Sequence, residues 1–116
     1  MTKILIYGGN GWIGGMMCEL LSKQNIEYVK SSVRVDNKSA IADELDQENP
    51  THVMSFIGRT HGTCDGKKYT TIDYLEQKGK IRENVRDNLF SPVLLAILCS
   101  RRNIHFTYLG TGCIFN

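Results

Sequence analysis

The sequence predicts an α/β fold of the Rossmann-like, doubly wound type, with a parallel sheet that carries helices on both faces. Three observations predict it: short apolar runs alternate with helical periodicity, glycine or proline bounds these runs, and a glycine-rich turn follows the first of them. The order β-α-β-(β)-α-β-α-β gives one parallel sheet through right-handed crossovers. We expect ligands at the carboxyl ends of its strands, after Tyr7, Ile57 and Leu109.

The first elements follow from hydrophobic spacing. Lys3–Tyr7 is a short apolar run that is typical of a buried parallel strand. From Trp12 to about Gln24 the apolar residues recur at helical intervals and predict a helix. Glu27–Ser32 predicts a second strand, and Val33–Val35 predicts a brief third one.

The next helix is predicted from a candidate N-cap residue and from a proline that ends it, and a strand follows. Asn37 or Ser39 can cap the helix, because a short polar side chain accepts from first-turn N–H groups. The helix should end near Asn49, since Pro50 disfavours helical dihedrals in the residue before it. Thr51–Ile57 then predicts a buried strand.

The remaining segments complete the alternation. Arg59–Lys68 is polar and contains glycine, which predicts a loop. Helical spacing from Ile81 to Arg102 predicts one long helix that Pro92 bends, because proline lacks an N–H and crowds the preceding turn. Ile104–Leu109 predicts the last strand.

Composition excludes several classes of protein. The 116 residues suffice for one domain, residues 1–116, and 41% apolar with 22% charged residues excludes fibrous and disordered chains. The net charge is +2 and its cations are scattered, which disfavours a nucleic-acid partner. No apolar run is long enough to cross a membrane, so we expect a soluble, cytoplasmic protein. The four cysteines have no CxxC spacing, and we expect no metal site and no disulfide framework.

The turn after the first strand carries the strongest functional pattern. It reads G-x-x-G-x-x-G at Gly8, Gly11 and Gly14, between a predicted strand and a predicted helix. Glycines there allow close approach of a pyrophosphate to the N–H groups of the helix N-terminus, and the alternative is a glycine-rich turn without a ligand. No Lys-Ser/Thr pair follows, so it is not a P-loop. The candidate dinucleotide contacts are Gly8, Asn10, Gly11, Trp12, Ile13 and Gly14.

Residues about twenty positions beyond the glycines bear on the choice of dinucleotide. An acid there is typical of NAD enzymes, whereas cations are typical of NADP enzymes. The sequence has Lys30 and Arg34, with Asp36 two residues further on. This favours NADP(H) over NAD(H), with Lys30 or Arg34 near the 2′-phosphate; the alternative is that both are solvated surface cations.

A hydroxyl and a thiol follow the last predicted strand. Thr111 can hydrogen-bond a substrate carbonyl, and Cys113 can move a proton if its pKa is shifted. Both residue types also serve structural purposes in turns and cores, so spacing alone leaves the alternatives open.

These segments together resemble a known family. Four segments are similar to those of the extended short-chain dehydrogenase/reductases of nucleotide-sugar metabolism. They are the glycine turn with Trp12, Pro50-Thr51-His52-Val53, Arg86-Asp87-Asn88 and Thr111-Gly112-Cys113-Ile114-Phe115. The likeness is strongest to the dTDP-4-dehydrorhamnose reductases and to the plant-type 3,5-epimerase/4-reductases that make UDP-rhamnose.

The resemblance implies reduction of a UDP- or dTDP-linked 4-keto-6-deoxyhexose by NADPH, with epimerisation at C3 and C5 as a further step. By position, Thr111 matches the family's catalytic hydroxyl, and Cys113 falls where GDP-fucose synthase places a cysteine acid/base. Gly58 and Arg59 match the turn beside the cofactor ribose, although the residues before them depart from the family's sequence pattern. A homodimer is a further expectation.

One departure from the family pattern is large. The family's Tyr-x-x-x-Lys pair follows the segment that corresponds to residues 111–115, where this chain ends. Tyr74 and Lys78 have the same spacing, but they precede the last predicted strand. We therefore expect residues 1–116 to be the N-terminal, NAD(P)-binding part of a longer enzyme, inactive by itself. The alternative is a non-catalytic module that binds or senses a dinucleotide.

Overall fold

A parallel sheet forms the centre of the molecule. The computed structural model of the chain describes residues 1–57, 62–64, 67–69, 82, 85 and 89–110. Its strands are β1 (Lys3–Tyr7), β2 (Glu27–Lys30), β3 (His52–Ser55), β4 (Gly62–Cys64), β5 (Lys67–Tyr69) and β6 (His105–Tyr108). Its helices are α1 (Trp12–Lys23), α2 (Lys38–Glu48) and α3 (Ser91–Arg101).

The sheet has the order β2-β1-β3-β6, and all of its pairs are parallel. Central strand β1 pairs with β2 through Ile6 and Lys30 and with β3 through Ile6 and Met54. Strands joined in this way by helical crossovers form a Rossmann-like sheet, so the predicted fold class is confirmed.

The two faces of β1 serve different helices. Leu5 and Tyr7 point into a cluster with residues of α2 and α3, whereas Ile4 and Ile6 pack with Cys18 of α1. These four side chains are at most 5% exposed. This two-sided burial explains why the run is continuously apolar rather than alternating.

Each of α1, α2 and α3 is followed by an asparagine with left-handed backbone: Asn25, Asn49 and Asn103 have φ of 56°, 47° and 59°. After α1, Ile26 N–H donates to the Leu21 carbonyl at 3.0 Å, and after α3, Ile104 N–H donates to Cys99 at 2.9 Å. These are Schellman ends. After α2 the next residue is proline, which has no N–H to donate. The predicted stop before Pro50 is confirmed.

Asn37 is the cap of α2. Its Oδ1 accepts from Ala40 N–H at 3.1 Å, while Ser39 lies inside the helix. The structure therefore decides between the two predicted caps.

Two sequence predictions were wrong. Val33–Val35 is not a strand, because Val33 N–H bonds the Ser31 hydroxyl and Asn37 N–H bonds the Arg34 carbonyl, which makes a local turn. Part of the loop predicted over Arg59–Lys68 is the antiparallel hairpin of β4 and β5. An Asp-Gly pair, typical of two-residue hairpin connections, separates these strands in the sequence.

The helix predicted from Ile81 to Arg102 is described mainly over its second half. α3 begins at Ser91, so that Pro92 lies in its first turn, where a missing N–H removes no intrahelical bond. Leu89 and Phe90 form a π-helical turn immediately before it. The bend expected at Pro92 stays a prediction. Most of the segment before residue 89 lies outside the described residues.

In the parts of the chain that the structure describes, no helix combines the length and the apolar character that crossing a membrane requires.

Candidate functional site

The carboxyl ends of three strands lie side by side. Beyond the assigned strands, Phe56 N–H donates to the Tyr7 carbonyl at 2.9 Å and Leu109 N–H donates to the Ser55 carbonyl at 3.1 Å. The chain after β1, after β3 and after β6 therefore leaves the sheet at one edge, as predicted from topology.

Gly8 makes the turn away from β1. Its φ is +81°, and a Cβ there would lie 3.0 Å from the Phe56 carbonyl carbon and 3.1 Å from the Ile57 nitrogen. A side chain would be strained by the backbone angle and crowded by the β3 exit. The position requires glycine for both reasons.

Gly14 brings α1 close to the turn. A Cβ there would overlap the Gly8 carbonyl oxygen and would lie 2.8 Å from the Gly8 carbonyl carbon. These neighbours are backbone atoms, so no side-chain movement can relieve the overlap. The glycine spacing thus presses the first turn of the helix onto the end of the strand.

The N-terminus of α1 carries no side-chain cap. Gly11 is the cap residue, and the first turn contains no acidic side chain. Its free N–H groups and the positive end of the helix dipole are therefore available to an anion. Trp12 is 82% exposed and Ile13 is 43% exposed. This is a cradle whose walls are backbone, the arrangement that a pyrophosphate needs.

Lys30 closes one side of the glycine turn. A Cβ on Gly9 would lie 2.8 Å from the Lys30 side-chain carbons, and Lys30 Nζ donates to Asn10 Oδ1 at 3.5 Å. The structure therefore brings together the predicted cofactor residues Asn10 and Lys30, which are twenty positions apart.

Arg34 and Asp36 form an ion pair on the turn after β2. Arg34 Nε and Nη2 each donate to an Asp36 carboxylate oxygen at 3.2 Å. The Arg34 side chain is 71% exposed, so a pair of this kind adds little stability and leaves the guanidinium reachable from solvent. Sequence reasoning named both residues but did not predict that they pair.

A polar cluster that sequence reasoning missed lies beneath this turn. The carboxylate oxygen Oε1 of Glu44, on α2, accepts from the Tyr7 hydroxyl at 2.8 Å and from the Ser31 hydroxyl at 2.6 Å. Burial and the nearby Glu44 carboxylate raise the pKa of Tyr7, so its hydroxyl stays protonated and donates. No local pattern signals this cluster, because its members lie on three different elements.

Four predicted site residues lie outside the described residues: Gly58, Arg59, Thr111 and Cys113. The backbone leading to the last two is described as far as Gly110, at the same sheet edge as the glycine turn. Among the described residues, no three His, Cys, Asp or Glu side chains gather into a group that could hold a metal ion.

The family model for the RmlD substrate binding domain matches residues 1–116. The chain belongs to this family. The family name agrees with the resemblance seen in the sequence, to the dTDP-4-dehydrorhamnose reductases and the enzymes that make UDP-rhamnose.

A viral relative and a plant relative are similar along almost the whole chain. The UDP-rhamnose synthase of Acanthamoeba polyphaga mimivirus is 53% identical, and its crystal structure superposes with a TM-score of 0.91 over 98% of this chain and 38% of that one. The bifunctional dTDP-4-dehydrorhamnose 3,5-epimerase/dTDP-4-dehydrorhamnose reductase of Arabidopsis thaliana is 32% identical over 97% of this chain and 35% of its own length. The chain thus spans less than two fifths of these family members.

A more distant reductase shares the fold. The dTDP-4-dehydrorhamnose reductase of Bacillus anthracis, solved in complex with NADP, superposes with a TM-score of 0.73 at 15% identity, over 91% of this chain and 35% of that one. At this identity the likeness shows the Rossmann-like fold.

Proposed function

We propose that residues 1–116 form the dinucleotide-binding part of an enzyme that reduces a nucleotide-linked 4-keto-6-deoxyhexose in rhamnose-type nucleotide-sugar synthesis. The glycine turn carries the proposal. Gly8 and Gly14 let the first turn of α1 press against the end of β1, and the helix N-terminus at this turn has no side-chain cap. The residues present fit a pyrophosphate, which needs donors at close range and no side chains between. Because the relatives are named as synthases and reductases, we favour an enzyme over a sensing module.

NADP(H) is the favoured cofactor. Lys30 lies at the glycine turn beside Asn10, and Arg34 lies exposed on the turn that follows the same strand. Two cations, one at the end of the second strand and one on the turn after it, suit the additional phosphate of NADP(H). When bound, the reduced dinucleotide supplies a hydride to C4 of the sugar.

The residues after β6 are proposed to act on the sugar. Thr111 would donate a hydrogen bond to the C4 carbonyl and hold it for reduction. As the hydride reaches C4, O4 would take up a proton from the tyrosine of the family's Tyr-x-x-x-Lys pair. Cys113 would move protons at C3 and C5 in the epimerisation. Support comes from the sequence resemblance and from the course of the chain as far as Gly110.

The experiment is a reduction assay on the full-length protein. We expect NADPH absorbance to fall when UDP-4-keto-6-deoxyglucose is added, and the dTDP-linked sugar tests the nucleotide. Thr111→Val should lower kcat by about a hundredfold, whereas Thr111→Ser, which keeps the hydroxyl, should retain most activity. Cys113→Ser should impair epimerisation while leaving reduction of the epimerised sugar intact. Dinucleotide binding without turnover of either sugar would favour the sensing module.

A homodimer is the proposed assembly. An apolar groove of about 340 Å³ runs along the start of α3, and its lining includes Leu89, Phe90 and Val93, each 46–58% exposed. An exposed apolar surface of this kind suits a second protein surface. Val93→Glu should therefore shift the mass measured by light scattering from dimer to monomer, and a wild-type monomer would refute the proposal.

A further inference from the structure

One carboxylate links the turn after β2 to the core by hydrogen bonds, in addition to the apolar packing of Val33 and Val35. The ring of Tyr7 is 1% exposed and packs in the cluster with α2 and α3, which fixes the position of its hydroxyl. That hydroxyl donates to Glu44 Oε1, and the same oxygen accepts from Ser31 Oγ. The carboxylate therefore joins the end of β1 to the first residue after β2.

The anchor continues into the turn. The Ser31 hydroxyl donates a hydrogen bond to Glu44 and accepts one from Val33 N–H at 3.1 Å, so it acts as both donor and acceptor. Ser31 N–H also donates to the Ile6 carbonyl at 2.8 Å, which extends the pairing of β1 and β2 by one residue. These bonds set the direction in which the chain leaves the sheet toward Arg34.

We infer that Glu44 is a positioning residue for recognition of the dinucleotide's 2′-phosphate: it holds the turn that carries Arg34 and that follows the strand ending at Lys30. This inference rests on the proposed function, which supplies the ligand. Lys30 and Arg34 flank Ser31 in the chain, and rotation of Ser31 would change how both cations are presented. The glycine turn is held separately, by backbone packing of α1 on β1. Loss of Glu44 should therefore weaken NADPH binding more than NADH binding, because NADH lacks the 2′-phosphate.

The chain offers a matched control on the same helix. Glu48 lies one helical turn after Glu44 and pairs with Lys3 Nζ at 2.9 Å, at the opposite end of β1. Both glutamates tie α2 to β1, but only Glu44 reaches the turn after β2. Glu48→Gln should change stability without changing cofactor preference.

The experiment measures dissociation constants for NADPH and NADH by fluorescence titration of the full-length protein. For Glu44→Ala we expect NADPH to bind about tenfold more weakly and NADH no more than about threefold more weakly, where tenfold corresponds to about 1.4 kcal/mol. Ser31→Ala should lower the NADPH preference in the same direction, and Glu44→Gln, which keeps an acceptor without the charge, should lower it less. If Glu44→Ala does not fold, these two milder variants decide the question.

The outcomes separate the two proposals. A wild-type protein that binds neither dinucleotide overturns the proposed function. A wild-type protein that binds both equally, or variants that keep the wild-type preference, overturn the role of Glu44 and leave the glycine turn untouched. Tighter NADPH binding by Glu44→Gln would also overturn it, since the carboxylate would then act by repelling the phosphate. A changed cofactor preference in Glu48→Gln would show that the effect of Glu44→Ala reflects general stability, and it would overturn the role of Glu44.

Discussion

The two faces of the sheet bury different numbers of side chains. Among the described residues, eleven buried side chains form the cluster between the sheet, α2 and α3, whereas four form the cluster under α1. On α1 several apolar side chains remain substantially exposed: Trp12, Ile13, Met16 and Leu20. The α2/α3 face therefore supplies most of the buried apolar area, while the α1 face is specialised for close approach of backbone to backbone at its glycines. The face that supplies most of the buried apolar area thus lies opposite the face that carries the proposed dinucleotide site.

Gly14→Ala is expected to have the largest effect among the variants that test this difference between the faces. The added methyl would overlap backbone atoms of Gly8, so α1 must move away from β1. We expect a loss of about 4 kcal/mol or more in the free energy of unfolding, and loss of dinucleotide binding. Urea denaturation and a fluorescence titration with NADPH measure the two effects.

Gly15→Ala is the control for that variant. Its Cβ would lie 3.7 Å from the Gly9 carbonyl oxygen, which is an ordinary contact. Alanine in place of a helical glycine should raise stability by up to about 1 kcal/mol. Equal stability of the Gly14 and Gly15 variants would show that the close approach is not essential.

A second comparison removes the same atoms from each face. Leu95 on α3 is fully buried, and Leu21 on α1 is 5% exposed in a smaller cluster. Leu95→Ala should destabilise by about 4 kcal/mol and Leu21→Ala by about 2 kcal/mol, because a cavity in the smaller cluster can collapse more easily. Urea denaturation of both variants tests this order, and the reverse order would contradict the assignment of stability to the α2/α3 face.

A third comparison removes one hydroxyl from each face. Tyr7→Phe should cost about 1.5 kcal/mol, since it deprives the partly buried Glu44 carboxylate of a donor. Tyr28 makes a solvent-exposed hydrogen bond to Ser22 at 3.1 Å on the α1 face, so Tyr28→Phe should change stability by less than about 0.5 kcal/mol. Thermal unfolding followed by circular dichroism separates the two, and similar losses would contradict the difference in burial.

The smallest expected effect concerns an exposed link on the α2/α3 face. Arg102 donates to Asp46 at 2.8 Å, and this hydrogen bond lowers the pKa of Asp46. A carboxyl whose pKa is lower in the folded state adds stability above its unfolded pKa of about 4, and that stability is lost as the pH falls through the folded value. Asp46→Asn should therefore be slightly less stable than wild type at pH 7 and should approach it in acid. Urea midpoints at both pH values test this, and a constant difference would contradict it.

Much of the fold followed from local sequence signals. The glycine spacing predicted the turn at Gly8 and the close helix at Gly14, because those requirements are set within a few residues. The strand cores and the stop before Pro50 were predicted for the same reason. The β4–β5 hairpin had a local signal too, the Asp-Gly pair, but the polar composition around it predicted a loop.

The rest of the described site depends on residues that are distant in sequence. The bond between Tyr7 and Glu44 joins a strand to a helix 37 positions later, and no periodicity encodes it. The pairing of Arg34 with Asp36 is a choice of side-chain rotamers that spacing permits without requiring. Composition and periodicity identify which elements meet; they do not specify which polar atoms meet.

The asparagines that end the three helices have a consequence for the order of folding. Each exit is closed by hydrogen bonds that reach back at most five residues, to Leu21, Leu45 or Cys99. Such contacts form quickly, whereas joining β1 to β3 and β3 to β6 requires closure of long loops. Helix exits already shaped toward β2, β3 and β6 would shorten the conformational search at that slow step.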